Sequence, residues 1–289
     1  MGMVIAVSGL PAAGKGEFAA ILAENGIPVR SMGDMVRAEV KARGLEEAPH
    51  IFGGWSEYLY ILPGSHLFKF PENLNPKFGA FIEPLSVTAC LDKARQWSSE
   101  WEPFSSGDTV AILGTGPIGL FHLIKSNLLA AGRLISIDPS KFRTSIAKSF
   151  GATDVINSSN KEEIKDNINR ITDNVGVDLV VDCSGVAEGF GIALELIREG
   201  GMVIEVGIFS NSHDIPINPH KHILEKSARV MGVGGDEISQ YYPSIKLLER
   251  TINQFPWSKI ISHEYKINEI HDAMKTAMSD NSMKVLLSP

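Results

Sequence analysis

Cysteine is nearly absent. Two thiols, Cys90 and Cys183, in 289 residues cannot build a disulfide framework or a four-thiolate zinc site. Long apolar runs are missing as well: none reaches the roughly 18 residues that a membrane-spanning helix needs. The opening Met1-Gly2-Met3-Val4-Ile5 carries neither the basic stretch nor the small-residue cleavage site of a secretory leader. A cytoplasmic protein with no membrane partner is expected. Positive charge is in deficit, 27 Lys and Arg against 34 Asp and Glu for a formal net charge of -7, which opposes the counterion-release attraction that nucleic-acid binders exploit. No nucleic-acid partner is expected. Histidine offers no metal cage either: His220 and His222 are the only close pair, and beside Pro219 and Lys221 they read as solvated turn residues.

What is present can fold. With 44% hydrophobic and 21% charged residues, a sizeable core is available, and the length suggests about two domains at roughly 150 residues each. Character changes across residues 45–52, where Leu45-Glu46-Glu47-Ala48-Pro49-His50 breaks a helical pattern. Before that boundary, strands at 4–7 and 28–31 and helices at 17–25 and about 34–42 predict a β-α-β-α fragment. After it come a predicted strand at 58–62, a loop through Pro71 and Pro76, and a helix over 84–95. The pattern then becomes regular, with strands at 109–113, 134–138, 154–156, 178–182, 202–206 and 229–233, and helices between most of them, including 118–131 and 140–150. This predicts an α/β fold, a doubly wound parallel sheet of the Rossmann kind. Segments 1–48, 49–83, 84–258 and 259–289 are the expected divisions.

Gly114-Thr115-Gly116-Pro117-Ile118-Gly119 follows the predicted strand at 109–113 and opens a helix, the context in which a G-x-G-x-x-G match reads as a dinucleotide fingerprint. Gly114 would permit the tight turn, Gly116 the approach of a pyrophosphate, and Gly119 close packing of helix on strand. Amides near Pro117 and Ile118 would face the anion with the positive end of the helix. Asp138 ends the next strand, where a carboxylate can accept from both ribose hydroxyls of NAD and repel the extra phosphate of NADP. An alternative stays open, in which Asp138 caps the helix after Pro139. Arg143, one turn on, either covers the adenosine side or is a solvated helix residue.

Further motifs accompany the fingerprint: Phe52-Gly53-Gly54-Trp55-Ser56-Glu57-Tyr58, Ile82-Glu83-Pro84-Leu85, Gly151-Ala152-Thr153-Asp154, Asp182-Cys183-Ser184-Gly185, Glu199-Gly200-Gly201 and Lys284-Val285-Leu286-Leu287. Through them the chain from about residue 49 to 289 resembles the medium-chain, zinc-type alcohol and polyol dehydrogenases. The resemblance implies that Ser184 and the loop Val206-Gly207-Ile208 lie near the nicotinamide. It also implies that Glu83 matches the acid that approaches the catalytic zinc in sorbitol-like members, although an acid before Pro84 also suits a helix start without metal. Family members carry that zinc on an amino-terminal GroES-like domain, through a Cys and a His-Glu pair that have no counterpart upstream of Phe52. One carboxylate cannot hold a catalytic zinc, so the site is expected to be incomplete. Residues 52–83 and 259–289 would be remnants of the catalytic domain.

In place of that domain stands Gly9-Leu10-Pro11-Ala12-Ala13-Gly14-Lys15-Gly16, a phosphate-loop pattern whose amides could cradle a phosphate of ATP or another nucleotide, with Lys15 as point charge. With Ser31-Met32-Gly33-Asp34-Met35-Val36-Arg37 it resembles adenylate-kinase-like proteins, in which that Arg meets a nucleoside monophosphate. Gly16 and Glu17 lack the hydroxyl that holds magnesium, so binding and not transfer is expected. The combined expectation is an NAD-binding, truncated or chimeric member of the dehydrogenase family, weakly active or inactive alone on a small alcohol or polyol. A non-catalytic NAD-binding module is the alternative, and a nucleotide kinase a more distant one. Assembly into a homo-oligomer, substrate identity and the origin of the junction at 45–52 are left open.

Overall fold

The computed structural model describes residues 64–96, 104–207, 213–235 and 237–289. The predicted elements before residue 63, the phosphate-loop residues Gly9, Gly14, Lys15, Gly16 and Arg37, the junction at 45–52, and Ile208 lie outside the described residues. The described residues fall into two units. One comprises Phe68–Tyr265 with Glu269–Leu286, and the other takes in Lys266–Asn268 and Leu287–Pro289.

The first unit is built on a parallel sheet of six strands: β1 (Thr109–Leu113), β2 (Arg133–Ile137), β3 (Asp154–Ile156), β4 (Val177–Asp182), β5 (Ile197–Glu205) and β6 (Arg229–Gly232). Their order is β3-β2-β1-β4-β5-β6, so the chain reverses direction across the sheet between β1 and β4. Helices α1 (Ile82–Ser86), α2 (Ala89–Gln96), α3 (Pro117–Leu128), α4 (Lys141–Ser149), α5 (Lys161–Ile171), α6 (Ala187–Leu196) and α7 (Tyr241–Thr251) surround it. At the carboxyl end, β7 (Ile261–Lys266), α8 (Ile270–Ala277) and β8 (Lys284–Ser288) follow, β7 and β8 forming a two-stranded sheet.

The continuous apolar strands have a physical cause: both faces of the sheet are covered. Side chains alternate across a strand, and β1 divides accordingly. Val110 and Ile112 enter one core with Phe81, Leu120, Phe121, Phe150, Phe255 and Trp257. Ala111 and Leu113 enter the other with Ile135, Ile137, Ile164 and Ile168. Each such buried Ile, Leu or Phe contributes roughly 1.5–3 kcal/mol relative to exposure. Trp257 packs edge-on against Phe150 and Phe255, and its indole N–H donates to Thr251 O at 3.0 Å, so the ring is buried without an orphaned donor.

Several local expectations are corrected. The helix predicted over 84–95 begins at Ile82 and breaks at Val87 and Thr88, because the hydroxyls of Ser86 and Thr88 donate to the carbonyls of Glu83 (2.6 Å) and Leu85 (2.7 Å) and compete with the helical ladder. Pro76 starts a 3-10 turn, Pro76–Phe81, capped by Asn75, not a loop. The helix predicted to reach Ala131 ends at Leu128, with Ala130 left-handed at φ 63°. β5 begins five residues earlier than expected and accommodates Gly200, at φ 71°, through a register irregularity against β4. His222 is not a solvated turn residue: it is buried, takes the Asn218 N–H on Nδ1 at 3.2 Å, and lies 3.6 Å from Glu195. Among the described residues, no helix is long and apolar enough to cross a membrane.

Candidate functional site

The strand order reverses between β1 and β4, and at the carboxyl ends of the strands beside such a reversal open α/β sheets hold ligands in a crevice. β1 leads into it. Gly114 N–H donates to Ile137 O at 2.8 Å and Cys183 N–H to Leu113 O at 2.7 Å, so the turns after β1 and β4 continue the sheet. Gly114 has φ 82°, and a Cβ there would fall 2.5 Å from Ser184 Cα. A Cβ on Gly119 would fall 2.0 Å from Gly114 O. Both glycines are therefore required by the fold itself.

Gly116 differs. Its φ of -69° suits any residue, and a Cβ there would meet nothing within 4 Å. It forms the N-cap of α3 with no side-chain cap, ahead of Pro117, and Gly116, Pro117 and Ile118 are all partly exposed. Free amides and the positive helix end thus face open space, an arrangement that accepts an anion at close backbone approach.

Asp138, 3% exposed, lies just past the end of β2. It accepts from Thr115 N–H on Oδ2 (2.9 Å) and from Ser140 N–H on Oδ1 (2.8 Å), so the acid pins the fingerprint turn. Burial pushes its carboxyl above the ordinary range, against the pull of the Ser140 amide, the Arg143 guanidinium and the Thr115 amide. Each oxygen retains lone-pair capacity for a hydroxyl donor. The capping alternative is corrected, since the N-cap of α4 is Ser140, whose Oγ accepts from Arg143 N–H at 3.2 Å. Arg143 is neither solvated nor turned to an open face: it donates to Ser282 O at 3.1 Å and Ser279 O at 3.3 Å, and lies 3.9 Å from Asp138.

The loops after β4 and β5 meet on the other side of the crevice. Ser184 N–H donates to Asp182 Oδ1 (2.9 Å), Val206 N–H to Asp182 O (3.0 Å) and Gly207 N–H to Glu205 Oε1 (2.9 Å). A Cβ on Gly207 would fall 2.9 Å from both Cys183 C and Gly185 N, so the loops touch through bare backbone.

The described residues do not fit a catalytic zinc. Glu83 is exposed in the first turn of α1 and acts electrostatically on Lys284, whose ammonium is held below its ordinary range by burial and raised in part by Glu83. Cys90 and Cys183 lie far apart in sequence but converge on a third residue that sequence reading missed. His122 is fully buried in α3, its Nδ1 2.8 Å from Ile118 O, with Cys90 Sγ 3.5 Å from Nε2 and Cys183 Sγ 3.9 Å from Nδ1. Burial drives the imidazole down to about 4 and the Cys90 thiol up to about 12. It likewise pushes Cys183 well up, reinforced by Asp182. All three groups are neutral at physiological pH, which suits packing and not ligation or nucleophilic attack. Among the described residues, no group of three His, Cys, Asp or Glu side chains is placed to hold a metal.

A second concavity, of about 500 Å³, lies at the carboxyl end of β6, lined among others by Ser86, Cys90, Lys93, Val233 and Gly234, with the Lys93–Glu237 ion pair (2.5 Å) at its lining. None of the fingerprint residues borders it. Its contributors are separated by some 140 residues in the chain, and no local motif marks them.

Comparison with known proteins places this architecture. Residues 117–250 match the family model described as zinc-binding dehydrogenase, and residues 8–56 match one described as AAA domain. The chain is 28% identical to an L-threonine 3-dehydrogenase of Pseudoalteromonas atlantica over 237 residues, covering 82% of this chain and 65% of that protein. It is 29% identical to a sorbitol dehydrogenase of Halalkalibacterium halodurans over 242 residues, covering 82% and 66%. The crystal structure of a zinc-binding dehydrogenase from Sinorhizobium meliloti, bound to NADP, superposes with a TM-score of 0.65 at 27% identity, covering 77% of this chain and 62% of that one. The chain spans just under two thirds of the length of the curated relatives it matches.

Proposed function

Through residues 117–250 this chain belongs to the zinc-binding dehydrogenases, and from that footing we propose that it binds a nicotinamide dinucleotide, NAD in preference to NADP, across the crevice between β1, β2 and β4. The observation that carries the reading is Gly116. Neither backbone conformation nor packing calls for glycine there, whereas a pyrophosphate set against the amino end of α3 does. In this reading Gly114 and Gly119 shape the turn, Pro117 and Ile118 open the helix that faces the phosphates, and Asp138 accepts from the adenosine ribose. Ser184, Val206 and Gly207 border the nicotinamide.

When bound, the nicotinamide supplies a hydride acceptor for a small alcohol or polyol. The chain's own residues bind and orient it, and the described ones hold no metal cluster that would ionise an alcohol. Dinucleotide binding is the function that the described residues support, and turnover of an alcohol would call on ligands outside them. The phosphate-loop segment at 9–16 is a separate proposal, a second nucleotide site for ATP. Calorimetric titration with NAD, NADP and ATP separately tests all of this. NAD binding at micromolar concentration, tighter than NADP, supports the reading; absence of heat with either dinucleotide overturns it.

A further inference from the structure

The turn between α8 and β8 grips the amino end of α4. Ser140 Oγ–H donates to Asp280 O at 2.5 Å, and Arg143 donates from Nε to Ser282 O and from Nη2 to Ser279 O. The turn is itself braced, since Ser282 is buried and its Oγ donates toward Ser279 O (3.0 Å) and Ala277 O (3.2 Å). Two consequences bear on Asp138. Arg143, which pairs with that carboxylate at 3.9 Å, has two of its three nitrogens committed to main-chain carbonyls and cannot present a bidentate fork to a new anion. Asp280, exposed, is one hydrogen-bonded step from the Asp138 turn, because Ser140 bonds both, and its negative charge acts on the Asp138 carboxyl.

We propose that the turn of residues 279–282 determines dinucleotide specificity: it withholds Arg143 from a 2′-phosphate and sets the Asp280 carboxylate beside Asp138 as a second negative charge. The proposal rests on the dinucleotide-binding reading above. A ribose hydroxyl is neutral and indifferent to the added charge. A 2′-phosphate is a dianion and meets two carboxylates, with two nitrogens of the neighbouring guanidinium already committed to main-chain carbonyls.

The test is titration of the full chain with NADH and NADPH, followed by fluorescence at low and moderate salt, for wild type, Asp280→Asn and Asp280→Lys. Asp280 is exposed and its only hydrogen bond, from Ser140, is to its main-chain oxygen, so both variants are expected to fold with unchanged thermal midpoints. Asp280→Asn should narrow the ratio of NADPH to NADH dissociation constants about threefold to fivefold, with NADH affinity held within twofold. Asp280→Lys should narrow it by about tenfold or more, and more steeply at low salt. A ratio unchanged within twofold in both variants, in a wild type that prefers NADH, overturns the inference and leaves selection to Asp138 alone. A wild type that binds neither dinucleotide overturns the functional reading itself, and the inference with it.

Discussion

Gly116 and Gly119 sit three residues apart in one turn, yet they are glycine for different reasons, and substitution should separate them. Alanine at 119 drives a Cβ to 2.0 Å from a backbone oxygen that cannot swing away. Gly119→Ala should lose about 2–4 kcal/mol in urea unfolding. Alanine at 116 meets nothing and costs only the poorer N-cap, about 1 kcal/mol or less. Its methyl would occupy the space proposed for the pyrophosphate, so NADH affinity should fall at least tenfold; a Gly116→Ala protein that binds NADH like wild type would remove the central support for that assignment. His122 carries a second residue-scale prediction. Its folded value of about 4 lies below the ordinary 6.5, so between those limits the unfolded chain takes up a proton that the folded one refuses. Stability from this group is therefore complete above pH 6.5 and declines as pH falls toward 4, by about 3 kcal/mol at most. Asp138 and Asp182, raised by burial, act in the opposite sense at the acid end. The contribution of His122 is isolated by comparing unfolding free energies of wild type and His122→Gln from pH 4 to 7, and parallel curves would show the imidazole is not buried neutral.

Helix α4 starts on a residue with two duties, which gives a comparison among caps. Ser140 accepts from Arg143 N–H and also donates to Asp280 O, whereas Asn160 at the start of α5 caps Glu163 N–H at 3.0 Å on an exposed surface. Ser140→Ala should cost about 2 kcal/mol and Asn160→Ala about 1. Equal losses in denaturant unfolding would mean that the turn at 279–282 does not lean on α4. The same contrast between local and distant contacts governs how much could be read beforehand. Strands such as Val110-Ala111-Ile112-Leu113 were legible because a sheet covered on both faces demands unbroken apolar runs. The fingerprint was legible because the left-handed turn at Gly114, the close approach of Gly119 to Gly114 O and the Thr115 N–H bond to Asp138 all lie within some 25 residues. The break at Val87 and Thr88 was not, since it depends on hydroxyls choosing carbonyls over solvent. The convergence of Cys90 and Cys183 on His122 spans 32 and 61 residues, and no spacing rule reports a contact made by folding alone. The partners of Arg143 were not legible for the same reason: they lie 136 and 139 residues away.

At the scale of the whole molecule, a dehydrogenase-type segment at 117–250 shares the chain with an AAA-type segment at 8–56, and the chain covers about 65% of an intact threonine dehydrogenase. The expected behaviour is binding without chemistry. A dinucleotide needs only the turn at 114–119, Asp138 and the loops after β4 and β5, all carried by one continuous sheet. Hydride transfer from an alcohol also needs the hydroxyl proton removed, and an alcohol without a Lewis acid keeps a pKa near that of bulk water, far above the near-neutral value of a metal-bound one. At about 1.4 kcal/mol per pKa unit, that difference removes many powers of ten from the reactive alkoxide. Neither Glu83, exposed on a five-residue helix, nor thiols held protonated beside a neutral His122 can restore it. The purified chain should therefore quench or shift NADH fluorescence on binding while sorbitol, threonine, glucose and simple alcohols give no NADH above background. Metal analysis after dialysis should find less than one zinc per chain. Zinc-dependent NADH formation from any of these substrates, abolished by Glu83→Ala, would show that ligands outside the described residues complete the centre, and the chain would then be a working alcohol dehydrogenase.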